Sequence, residues 1–212
     1  VPGHRPFGQE GVGACAELIA TRGFLRIRST RQDITHPIVE RFGVIDDVFL
    51  PPVDGTPWLE TTPEQVPGGM FGVPLGPSTD VTVRVLPAGP MRFSLFAATV
   101  LPLRFKLDNE FLGPRCFIGP VVLHLRPDVS KASFDEHGAG LDITGLVATD
   151  TRFAVPRSDG CNGGGLVDAK LGLPSPAGAN AVRLEIDAAV ASASRVAMKR
   201  RARARRRAPR RR

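Results

Sequence analysis

The chain has 212 residues, with 28 Lys and Arg, 21 Asp and Glu, and a formal net charge of +7. Arg195 to Arg212 holds 11 of the basic residues and no acid, and removing these 11 from 28 leaves 17 against 21 acids, or −4 for positions 1 to 194. That balance excludes a body that grips nucleic acid over a basic surface, the lack of any run of 18 apolar residues excludes a hydropathic bilayer-spanning helix, and 12 Phe with no Tyr exclude a Tyr-rich contact surface.

With 23 Gly and 20 Pro the chain carries many turn formers, and its length suits one large all-β domain with appendages. Residues 1 to 14 are Gly-rich, without periodicity, and are expected to be poorly ordered. Phe24 to Arg28 and Asp33 to Val39 read as short strands, the second demoted to an edge by Pro37. Val44 to Leu50 is a third, stopped by Pro51-Pro52. Seven prolines between 51 and 77 forbid a regular helix and predict an ordered surface excursion, with Trp58 as its anchor to the body.

Val81 to Leu86, Met91 to Phe96 and Val100 to Leu107 form the clearest β region, the first two joined at the turn Pro87-Ala-Gly-Pro90. In the third, Leu101, Leu103, Phe105 and Leu107 fall on one face, and Pro102, Arg104 and Lys106 on the other. After a Gly119-Pro120 corner, residues 121 to 125 alternate as a returning strand with His124 on its wet face. Leu141 to Val147, Thr151 to Val155 and Val182 to Ala188 complete the strands, and Leu166 to Leu171 supplies a short helix before Pro174. Together they predict an all-β fold: an antiparallel β-sandwich-like domain, or a related partly closed sheet, over residues 15 to 190. Long Pro/Gly-rich loops, minor helix and a disordered basic tail over 191 to 212 accompany it.

Chemistry-bearing residues are sparse. None of the histidines at 4, 36, 124 and 137 lies at metal-ligand spacing from another, and Asp135-Glu136-His137 beside Gly138 reads as an exposed turn. Asp46-Asp47 and Asp108-Asn109-Glu110 lack the spacing of a calcium loop. Gly163-Gly164-Gly165 lacks the Gly-Lys-Ser/Thr of a phosphate loop, and no serine stands in a nucleophile elbow. The residues assign no catalytic group, no cofactor and no metal site, and point to a binding or structural role.

The segment Leu101-Pro-Leu-Arg-Phe-Lys-Leu-Asp-Asn-Glu-Phe-Leu-Gly-Pro-Arg-Cys-Phe-Ile-Gly119, then Asp159-Gly-Cys and Ala169-Lys-Leu-Gly-Leu-Pro-Ser-Pro-Ala-Gly-Ala-Asn180, resembles a family of uncharacterised secreted actinobacterial proteins. Gly23-Phe-Leu-Arg-Ile, Pro37-Ile-Val, Val66-Pro-Gly-Gly-Met and Phe153-Ala-Val-Pro fit the same pattern, and the likeness spans roughly residues 15 to 190. It implies an exported, disulfide-bearing β-rich protein at the cell envelope or outside it, with no activity attached. Two departures stand out: a cysteine upstream of Cys15 is lacking, and the Arg-rich end lies outside the shared pattern.

With that resemblance, Cys116 and Cys161, each in a Gly-containing turn beside a strand, are expected to form a disulfide; the alternative is two buried thiols in a reducing compartment. Cys15 is the odd cysteine, and its expected partner lies in a lost upstream segment together with a signal peptide, so that Val1 is not expected to be the natural start. The basic tail, carried by Lys199, Arg200, Arg201, Arg203, Arg205, Arg206, Arg207, Arg210, Arg211 and Arg212, repels itself too strongly to fold. It suits anionic cell-wall polymers or lipid headgroups, or alternatively nucleic acid, through counterion release. A translation of GC-rich DNA past the end of a gene would read the same.

Overall fold

Alternation of apolar and polar residues sends every second side chain to one face of a strand. In the computed structural model, which describes residues 13–45, 48–50, 58–69, 79–94, 97–137 and 140–192, that rule builds one curled antiparallel sheet. Its strands are β1 (Ala14–Ile27), β2 (Thr30–Ile34), β3 (Ile38–Ile45), β4 (Val48–Leu50), β5 (Leu59–Glu60), β6 (Glu64–Gln65), β7 (Thr82–Pro87), β8 (Thr99–Asp108), β9 (Phe117–Asp128), β10 (Ser133–His137), β11 (Gly140–Asp150), β12 (Ser158–Asp159) and β13 (Asn180–Ser192). One short helix, α1 (Gly164–Leu171), accompanies them. Hydrogen-bonded neighbours run β4-β3-β1-β13-β11-β9-β8-β7-β6, with β2, β5, β10 and β12 paired off this path. The architecture is all-β, as expected, and takes the form of a half-barrel.

Three interruptions of register curl the sheet, because an extra residue on one strand bends it and increases its twist. On β1 the register with β13 shifts between Ala20 and Arg22, and the interior positions change from Leu18 and Ala20 to Leu25 and Ile27. On β9 the interior positions change from Ile118 to Val121 across the cis Gly119-Pro120 bond. On β11 they change from Ile143 to Leu146 at Gly145, whose N–H donates to Asp187 Oδ1 at 3.0 Å. Gly23 is needed where β1 crosses β13, since a Cβ there would lie 2.1 Å from the Arg183 carbonyl oxygen at a φ of +154°.

The structure corrects several local expectations. Gly119-Pro120 is a bulge inside a continuous β9 and no corner, because the chain keeps pairing with β8 on both sides of it. Met91 to Phe96 and Thr151 to Val155 are not strands among the described residues; each keeps one isolated bridge, Arg92 to Val100 and Val155 to Ser175. Asp135 and Glu136 lie exposed on β10, paired with Asp142 and Leu141, and not in a turn. The first half of β1 carries no strand signal in the sequence because its interior positions include the small residues Ala16 and Ala20.

The core fills the inside of the curl. Leu101, Leu103, Phe105 and Leu107 of β8 are all buried, as their alternation predicts, together with Val121, Leu123 and Leu125 of β9 and Val182, Leu184 and Ile186 of β13. His124 and Arg104 face solvent. At one end Val167 and Leu171 of α1 pack against the core, and a disulfide between Cys116 and Cys161 ties the start of β9 to the loop before this helix. Asn180, fully buried, donates to the Phe153 and Pro176 carbonyls at 2.9 and 3.1 Å and accepts from Ser175 Oγ at 2.7 Å. Residues 1–12 and the basic tail from Arg195 lie outside the described residues.

Candidate functional site

A sheet that curls without closing leaves two margins. Here they are β3 and β2, which pair with the first and second halves of β1, on one side, and β7 on the other. The segment from Trp58 to Val66 joins them: β5 pairs with β3, through Val39 to Glu60 and Glu40 to Leu59, while β6 pairs with β7 through Glu64 to Val83 and Gln65 to Thr82. Among the described residues the Pro-rich segment runs at the surface, as expected, and takes the form of a strap across the seam. Trp58 anchors it as expected, half-buried against the core, with its carbonyl accepting from Arg41 N–H at 2.8 Å.

Side chains lock the strap at both ends. Arg41 Nε reaches Glu17 at 2.7 Å, and its Nη1 reaches Glu60 at 2.9 Å. Glu64 Oε1 accepts from the N–H groups of Thr35 and His36 at 2.9 and 2.7 Å, and the Thr35 hydroxyl donates to Oε2. His36 Nδ1 lies 3.2 Å from the same carboxylate. Burial pushes the Glu64 carboxyl up, but these hydrogen bonds outweigh it and hold the group below the usual carboxylate range.

Behind the strap lies a cavity of about 180 Å³. Its wall is built mostly of aliphatic and aromatic side chains, among them Leu18, Ile38, Val85, Phe93 and Leu125. An engineered apolar cavity of about 150 Å³ already holds benzene. This one is slightly larger and its lining extends from α1 to Phe93. Phe93 meets the buried Phe42 with ring centroids 5.0 Å apart.

Polar side chains reach this wall as well, from Thr30, Thr61 and Thr99 among others. Glu40 reaches it because β3 alternates Ile38, Glu40 and Phe42 onto the inner face, and Leu18 and Leu59 flank it on the paired strands. Its carboxylate has no hydrogen-bond or ion-pair partner among the described residues, and burial pushes its carboxyl up to about 7. Gln32 also lines the cavity, its Oε1 buried without a partner. Lys170 of α1, whose ammonium burial pushes down, donates to the Pro67 carbonyl at 3.4 Å.

None of these residues stands out in the sequence as a site, and the groups that the sequence does single out are elsewhere. Cys116 and Cys161 are bonded as expected, and Cys15 is buried in β1 outside that bond. Asn109 Oδ1 caps its own turn by accepting from Phe111 N–H at 2.9 Å, and Lys106 pairs with Asp108, so this acidic segment is a turn. Gly163 adopts a left-handed conformation before α1. Asp46, Asp47, His4 and the ten tail residues from Lys199 to Arg212 lie outside the described residues, within which no cluster of metal-ligating side chains occurs. Set against protein-family models, curated proteins and solved structures, the chain matches none.

Proposed function

We propose that this is a non-catalytic binding protein whose half-barrel takes up an apolar small molecule, and that it acts at the cell envelope or outside the cell. The observation that carries the first part is the aliphatic cavity beneath a strap hydrogen-bonded to both margins of the sheet, an arrangement suited to sequestering apolar ligands. The Cys116–Cys161 disulfide supports the second, since such bonds persist in oxidising compartments. Titration with the neutral fluorophore N-phenyl-1-naphthylamine tests the cavity. Saturable, one-to-one fluorescence enhancement is expected, falling about tenfold in affinity in Val85→Trp, which fills the space from β7. Fluorescence that never saturates, or that is unchanged in a folded Val85→Trp protein, overturns the reading.

The 11 basic residues between 195 and 212 favour a second, separable activity, attachment to polyanions. Deleting 195–212 is expected to abolish salt-sensitive retention on teichoic-acid-bearing cell walls or anionic vesicles while leaving fluorophore binding intact. Retention by nucleic acid alone would favour the nucleic-acid alternative, and no retention of the full chain would remove this activity.

A further inference from the structure

On the cavity wall Gln32 Oε1 is fully buried without a donor, and the Glu40 carboxylate has no hydrogen-bond partner among the described residues. The Gln32 amide nitrogen is already used, donating to the Asp33 carbonyl at 3.0 Å. Acceptors in a low-dielectric interior are destabilising until a donor arrives. The two lie eight positions apart along the margin from β2 to β3, too far for one small polar group to reach both. Glu40 is the one surrounded by Leu18, Ile38 and Leu59, where an apolar body would lie against it.

We propose that the occupant is an apolar molecule ending in a hydroxyl, of the long-chain alcohol class, and that Glu40 accepts the hydrogen bond from that hydroxyl; this rests on the apolar-ligand reading above. A hydrocarbon would leave the acceptor unpaired. Above about pH 7, where Glu40 is ionised, a fatty carboxylate would set a second negative group beside it. An alkylammonium would place two charges among aliphatic side chains, where desolvation offsets their attraction. A neutral hydroxyl supplies a donor at the least desolvation cost, and the carboxyl oxygen can accept from it in either protonation state.

The experiment displaces N-phenyl-1-naphthylamine from the full chain with 1-dodecanol, dodecane, dodecanoate and dodecylamine, in the wild type and in Glu40→Leu, Glu40→Gln and Gln32→Leu. The alcohol is expected to compete about tenfold better than the other three. That advantage should vanish in Glu40→Leu, and persist in Glu40→Gln and Gln32→Leu. Equal competition by the amine or the carboxylate overturns the headgroup class, as does an alcohol preference that survives Glu40→Leu. Loss of the preference in Gln32→Leu overturns the assignment to Glu40. A wild type that fails to bind the fluorophore overturns the cavity reading itself, whereas binding without alcohol preference overturns this inference alone.

Discussion

At the scale of single residues, Glu40 costs stability in a way that pH exposes. Its carboxyl titrates near 7 in the fold against an ordinary value of 4.5. Below 4.5 it is neutral in both states and the fold keeps its full stability. As pH rises from 4.5 to about 7 the unfolded chain ionises while the folded protein stays neutral, so stability falls; above 7 both are ionised and the fall stops. The lowered carboxyls of Glu64, Asp128 and Glu185 titrate below this window, with contributions lost as pH drops. Chemical denaturation at about pH 5.5 and 7.5 should show the wild type about 1 kcal/mol more stable at the lower pH, below the roughly 2 kcal/mol that the full shift would give over this window, because Glu40 retains partial exposure. Glu40→Gln should flatten that difference, and an equal slope in the variant would contradict the assignment. Nothing in Ile38-Val39-Glu40-Arg41-Phe42 marks this position, since a lone acid between apolar residues reads as an edge or turn until pairing shows which way it points.

Among the elements, the strap decides whether the curl holds a cavity or an open trough. Its two strands are two residues each, too short for backbone pairing alone to hold them, so side chains carry the closure. Glu64→Ala removes the acceptor for three donors on Thr35 and His36. Hydrogen exchange at the amides of Val66 and Arg41, which bond across the strap to Val81 and Trp58, should accelerate about tenfold in this variant. Exchange within β8 and β9 should be unchanged; acceleration there as well would show that the strap is part of the global folding unit and not a local closure. The seven prolines predict that no helix forms here, and that holds for the described part. Where the segment goes was not legible, because its pairing partners Val39, Glu40, Thr82 and Val83 lie on opposite sides of it in the chain.

For the whole molecule, strand periodicity on β8, β9 and β13, the short helix at α1 and the all-β class could be read directly, because each depends on side chains within one element. So could the architectural weight of the segments from Leu101 to Gly119 and Ala169 to Asn180. They supply the inner face of β8, one half of the disulfide and the Asn180 hub that stitches two loops. The acidic balance of the body and the concentration of positive charge beyond Arg195 are equally properties of the sequence alone. Tertiary structure alone decided the rest. Bulges on β1, β9 and β11 switch the inward-facing parity within a strand, and local alternation cannot reveal a switch that depends on the neighbouring strand's register. Closure of the seam, the cavity behind it and the burial of Glu40 all follow from that curvature, which arises between elements and is written in none of them singly.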